Sequence, residues 1–265
     1  MLELIFIFVL GICVGSFLNV LADRLPRDES VFNSRSRCEF CQHTLAWYDL
    51  FPLLSFILLR GKCRYCHKKL GWWYVLAELG TGALYVATYI FVSQHGGLLH
   101  SLNLLSLVYD LFIISALIAI FICDMKYGII PDKIVFPAII GSFIYLFLTP
   151  YNFLQSNVLI PHLLSALAAF AFFFFLFLIT KGRGMGFGDV KLVFLLGLFL
   201  GFPQIVLSLY IAFLTGALIA SILIIGKQKK LRGTTIPFGP FLVFGTIICF
   251  FYGQSLWQQV ISRFF

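Results

Sequence analysis

An all-α, polytopic membrane protein with about eight transmembrane helices and a cytoplasmic zinc-ribbon-like loop is the fold class that three observations predict. The 265 residues are 61% hydrophobic and 11% charged, with a mean hydropathy of +1.00. Soluble domains run at about 45–50% apolar and about 25% charged. Eight apolar segments reach or approach the ~20 residues a helix needs to cross a bilayer. The loops between them alternate between basic and uncharged, as cytoplasmic retention of Lys and Arg requires.

The first segment, 2–21, has no basic flank before it and no small-residue cleavage site, so it reads as a span and not a removable signal. The others are 72–93, 102–123, 130–149, 158–180, 188–201, 203–226 and 236–252, the sixth being short. Of 19 basic residues, nine fall between Arg24 and Lys69, two in 124–133, three between Lys181 and Lys191, and four between Lys227 and Arg232. The connections 94–101 and 150–157 and the turn near Gly201 hold none. The alternation puts both termini outside, and merging the sixth segment with the seventh would break it. The expected division is a first transmembrane helix at 1–21, a cytoplasmic four-cysteine domain at 22–71, and a membrane domain at 72–265. The +8 formal charge is then a topology signal with some attraction to anionic lipid. Basic residues dealt out among loops exclude a nucleic-acid surface.

The loop carries Cys38-Glu-Phe-Cys41 and Cys63-Arg-Tyr-Cys66. Two CxxC knuckles at this spacing match a zinc ribbon, and four thiolates would close the metal's coordination, making it structural. Disulfides are disfavoured in the reducing cytosol, and no βαβ pattern supports a redox dithiol. Between the knuckles, the apolar run Leu50–Leu59 is too short to cross. It is expected in the interface or against the membrane domain, with Trp47 and Tyr48 at headgroup level. Cys13, Cys123 and Cys249 read as packing residues.

Eleven acidic residues can be sorted one by one. Asp23, Asp28, Glu29, Glu39 and Asp49 read as solvated loop charges, and Glu3 as interfacial. Asp124 ends the third segment; Asp189 opens the sixth, inside Gly184-Met-Gly-Phe-Gly-Asp-Val-Lys191. Carboxylates at membrane depth are costly and mark function, and a pair sharing a proton can activate water and protonate a leaving group. Taken singly, Asp124 could be an interfacial helix end and Asp189 a helix N-cap. The glycines at 182, 184, 186 and 188 point to irregular backbone, tolerated at membrane depth only against protein or water. Asp110 lies 14 residues, about 21 Å of helix, from Asp124, and reads as a polar helix contact. Helix polarity suggests that Asp189 is the base and Asp124 holds the proton.

Together these residues resemble the bifunctional type IV prepilin peptidases. The resemblance runs over nearly the whole chain: Gly15-Ser-Phe-Leu-Asn-Val20 with Arg24-Leu-Pro26, the CxxC pair around Asp49–Ser55, Glu78, Asp124 with Ile130-Pro-Asp132, Gly186–Leu192, and Ile236-Pro-Phe-Gly-Pro-Phe241. It implies an aspartic endopeptidase with Asp124 and Asp189 as the catalytic pair. Its substrates would be type IV prepilins or pseudopilins, cut at the cytoplasmic face of a bacterial cytoplasmic membrane. It also implies N-methylation of the new amino terminus with S-adenosylmethionine. Glu78 is a candidate for that methyl-transfer, cofactor-binding site; a buried helix contact is an equal reading. Asp132 reads as a helix-start cap. Val135 departs from the small hydroxylated residue expected there. Two other classes compete: a signal-peptide-peptidase-like protease using Asp110, and a proton-coupled transporter with a zinc-ribbon loop, which would place carboxylates at the midplane.

Overall fold

A computed structural model describes residues 1–31, 35–38, 40–96, 101–148, 159–182, 184–225 and 236–264. The expected uncharged connection at 150–157, the basic stretch Lys227–Arg232 and Glu39 lie outside the described residues, as do residues 97–100 of the 94–101 connection. The chain forms two compact units, Met1–Ile122 and Cys123–Phe265.

Nine α-helices occur among the described residues: α1 Leu2–Arg24, α2 Leu54–Leu58, α3 Trp72–Gly96, α4 Ser101–Tyr127, α5 Asp132–Leu148, α6 Leu159–Thr180, α7 Phe187–Leu200, α8 Gln204–Ile225 and α9 Gly239–Phe264. Eight of them occupy the eight apolar segments. Six are long and apolar enough to cross a membrane; α5 and α7, at 17 and 14 residues, are shorter. The last helix continues past the expected end at 252. There Gly253 stays helical against the Gln204 side chain.

In the first unit, α1 lies along α3 because two glycines one turn apart permit it. A Cβ on Gly11 would stand 2.8 Å from the Gly82 Cα, and one on Gly15 would stand 2.8 Å from the Glu78 Cα. This is the small-residue packing that close helices in lipid use. The Tyr89 hydroxyl donates to Glu3 at one end of the pair. Tyr85 and Ser115 share a hydrogen bond of 2.7 Å that ties α3 to α4.

In the second unit α7 is the core element. Ten of its 14 residues are buried, and an apolar helix with no polar face belongs inside a bundle. At ~1.5 Å per residue it extends only about 21 Å. Gly197 touches the Ala166 backbone of α6 directly. Gly245 of α9 does the same to α8 at Ser208, beside a buried Ser208–Thr246 hydrogen bond of 3.2 Å.

Candidate active site

Asp124 and Asp189 both belong to the second unit, and the turn between α4 and α5 brings them near one another. Gly128, at φ +64, closes that turn with its N–H on the Asp124 carbonyl at 2.9 Å. Pro131 then precludes a continuous helix, and α5 starts at Asp132. Ile130 of the turn lies against Gly188, whose missing side chain lets α7 begin there; a Cβ would meet Ile130 at 3.0 Å. The two carboxyl groups lie within electrostatic reach of one another. Both are buried, at 5% and 7% exposure.

Each aspartate is held by one backbone N–H at a helix start, where such groups have no intrahelical partner. Gly186 donates to Asp189 Oδ2 at 3.2 Å. Asp189 is therefore not the N-cap that its position suggested, but the third residue of α7 reaching back to Gly186. Gly239, the first residue of α9, donates to Asp124 Oδ2 at 2.9 Å. The next residue, Pro240, has no N–H to satisfy and suits a first turn. A Cβ on Gly239 would stand 2.6 Å from that same oxygen. Sequence reasoning quoted Ile236–Phe241 but found no role for it; the Gly-Pro pair opening an apolar segment was the signal. The tilted ring pair of Phe213 and Phe238, with centroids 5.2 Å apart, anchors the start of α9.

This geometry removes the basis for the proton asymmetry expected from helix polarity. Asp124 ends α4 but also faces the amide start of α9, so both carboxylates sit at positive helix ends. One atom remains orphaned: Asp189 Oδ1 is buried without a hydrogen-bond partner among the described residues. Such a group is costly, and a proton or water shared with Asp124 would satisfy it.

Asp132 does start α5, and its carboxylate also pairs with Lys191 of α7. Lys191 lies over the rings of Phe187 and Phe136, at 5.2 and 5.6 Å. Val135 is fully buried, so the departure at that position is absorbed by packing. Asp110 is buried on α4 in the first unit, four turns of helix from Asp124.

The four loop cysteines converge. All four Sγ atoms lie within 4.8 Å of one another, and those of Cys38 and Cys66 are 3.8 Å apart. Sulfurs at ~2.3 Å from a tetrahedral zinc are separated by about 3.8 Å, whereas a disulfide needs about 2.05 Å. The donor set fits zinc. The knuckles repeat one another: Cys38 N–H bonds the His43 carbonyl as Cys63 N–H bonds that of Lys68, and Gln42 and His67 return to the Cys38 and Cys63 carbonyls. Burial raises the Cys38 thiol, but the N–H groups of Cys41 and Phe40 and two neighbouring thiols outweigh it and hold it at about 7. The Lys68 N–H works to lower Cys66, yet burial and the crowding thiols push it up to about 11. Asp49 is not the solvated charge expected. Its side chain is buried, taking Arg64 at 2.7 Å and Tyr65 at 3.2 Å and fixing the second knuckle. Asp23 likewise accepts the Tyr74 hydroxyl at 3.1 Å.

Glu78, 8% exposed on α3, accepts the Leu53 N–H at 2.9 Å. With α1 and the cysteine loop it lines a cavity of about 570 Å³ lying wholly within the first unit.

Residues 9–92 match the bacterial peptidase A24 N-terminal domain, and residues 111–221 match the type IV leader peptidase family. A Bacillus subtilis (strain 168) protein named prepilin leader peptidase/N-methyltransferase is 32% identical over 264 residues, covering 97% of this chain and 96% of its own length. The chain belongs to the type IV leader peptidase family. Another family member, from Burkholderia pseudomallei (strain 1026b) and of the same name, is 31% identical over 97% of this chain and 87% of its own length. One from Myxococcus xanthus (strain DK1622) is 37% identical over 138 residues; that match spans 52% of this chain and 38% of the relative. No solved structure matches.

Proposed function

We propose that this family member removes the leader peptide of type IV prepilins or pseudopilins at the cytoplasmic face of a bacterial membrane and N-methylates the amino terminus so exposed. The observation that carries the peptidase half is the pair Asp124–Asp189. Each carboxyl is fixed through one oxygen by a backbone amide, and Asp189 keeps a buried oxygen with no partner among the described residues. With one proton on the pair, the ionised carboxylate takes a proton from water as its oxygen bonds the scissile carbonyl carbon. The protonated carboxyl then gives its proton to the departing amine as the C–N bond breaks.

For the second half, S-adenosylmethionine would supply an electrophilic methyl group: the N–C bond to the new amine forms as the sulfonium C–S bond breaks, S-adenosylhomocysteine leaves, and the methylated nitrogen releases a proton. The Cys38, Cys41, Cys63 and Cys66 set would hold zinc as a structural tie for residues 22–71. Residues 72–265 supply the rest of the membrane domain. Co-expression with a prepilin tests the whole reading. Mass spectrometry of the product is expected to find the leader absent and the new terminus heavier by one methyl group. An uncut prepilin would overturn the peptidase, and a cut but unmethylated one the transferase.

A further inference from the structure

The aspartate pair sits at the ends of apolar helices, Asp124 near the end of α4 and Asp189 at the start of α7. A polypeptide cut there and continuing into the bilayer must be helical beyond the cut, because lipid offers its backbone no hydrogen-bond partner. In the second unit, α5 offers such a helix a track. Its buried side carries Val135, Ala138, Ser142 and Leu146, and Leu146 shares a cluster with Leu198 of α7. The other side carries Phe136, Ile140, Ile144 and Phe147, each about half exposed. Spacings of four, four and three residues place these on one stripe along the helix.

The stripe starts beside the site. It opens one turn after Asp132, whose carboxylate pairs with Lys191. The Lys191 ammonium lies over Phe136, the first ring of the stripe, and over Phe187, the first residue of α7. Ile130, just before α5, lies against Gly188, the neighbour of Asp189. Length also sets α5 apart. Its 17 residues rise about 26 Å at ~1.5 Å per residue, short of the ~30 Å hydrocarbon layer. The helices α6 and α8, which expose apolar faces too, have 22 residues each. Lipid beside α5 therefore has to thin, a cost that association with another helix relieves.

Resting on the peptidase reading above, we propose that the exposed stripe of α5 docks the apolar helix by which the prepilin or pseudopilin substrate continues into the bilayer. Contact along Phe136, Ile140, Ile144 and Phe147 would hold the chain just beyond the scissile bond. An uncharged partner suits this stripe, because helices in lipid associate through van der Waals packing.

The test uses the full-length Asp189→Asn chain in lipid nanodiscs, with a photo-crosslinking phenylalanine derivative in place of Ile140 or Ile144. The probe is an intact prepilin that the wild-type chain is assayed to cut. Leu164 of α6 and Leu218 of α8, both exposed, are the comparison positions. Adducts from Ile140 and Ile144 that map beyond the cleavage site, with few from Leu164 or Leu218, are the expected result. Equal adducts from those two positions, or none from α5, would overturn the docking surface and leave the peptidase intact. Adducts joining two copies of this chain through α5 would overturn it as well. A wild-type chain that cuts no prepilin would overturn the peptidase reading and the docking surface with it. Kinetics give a second readout. Ile140→Ala combined with Ile144→Ala removes contact atoms from an exposed face, and should raise the KM for prepilin about fivefold. Loss of binding alone leaves kcat within about twofold. A short peptide ending soon after the scissile bond should be cut as before. An unchanged KM for prepilin, or an equal loss with the short peptide, would contradict the proposal.

Discussion

Gly239→Ala adds a single methyl group and is expected to disable leader removal. The new Cβ would stand 2.6 Å from Asp124 Oδ2 and 3.2 Å from its Cγ. Favourable nonbonded contact begins near about 3.5 Å, so the start of α9 and the carboxylate must part by most of an ångström. The hydrogen bond from the Gly239 amide, 2.9 Å long, cannot survive that separation. A hydrogen bond to a charged group contributes about 1.5–3 kcal/mol, and a misplacement of ~1 Å at a reacting group costs about 10²-fold in rate. The expected effect is therefore a fall of roughly two orders of magnitude in single-turnover leader removal, with a thermal melt separating displacement from unfolding. Gly186→Ala is the matched control within the Gly-x-Gly-Asp stretch. Its φ −74, ψ 148 backbone suits any residue, and its Cβ would lie an ordinary 3.6 Å from Asp189 Oδ2. That variant should stay within about threefold of wild type, as unstrained substitutions do. Wild-type cleavage by Gly239→Ala, or Gly186→Ala being the more damaging of the two, would refute the reasoning.

Gly15→Leu drives a side chain into the Glu78 backbone and should lower the melting temperature by the equivalent of about 1–3 kcal/mol; an unchanged melt would show that α1 and α3 do not meet as described. Lys191→Met removes the partner of Asp132, whose side chain is half exposed, and such pairs contribute about 0.2–1 kcal/mol. Leader removal should change only slightly, and its abolition would mean that Lys191 takes part in the chemistry. Cys63→Ser, or chelation, should release zinc and open new tryptic cuts between Arg24 and Lys69. A metal-free wild-type protein with the same tryptic pattern would contradict a structural role.

Much of the fold was legible because lipid imposes coarse rules. Segment length and apolarity located the long helices, and the paired CxxC spacing located a cluster whose sulfurs converge. The glycines before Asp189 were likewise visible. What stayed hidden depended on contacts far apart in sequence. Nothing local says that the amide of Gly239 meets a carboxylate 115 residues away, or that Glu78 holds Leu53. Asp49 and Asp23 looked like solvated charges because their partners, Arg64 and Tyr74, lie in other segments. The Gly11–Gly15 spacing was readable as a packing motif, but a chain with 22 glycines offers many such pairs. Helix polarity misjudged Asp124 because it considered only the helix that carries the residue and not the one that starts against it.

The central claim is that Asp124 and Asp189 act as one unit in peptide-bond hydrolysis. It is tested most directly by single-turnover leader removal with purified Asp124→Asn, Asp189→Asn and Asp110→Asn variants in nanodiscs. Each of the first two should lose cleavage by about 10³-fold or more, because neither amide can take or give the shared proton, and removing one member of a unit costs nearly as much as removing both. Asp110→Asn should still cleave. Cleavage retained by either dyad variant, or lost only in Asp110→Asn, would contradict the account.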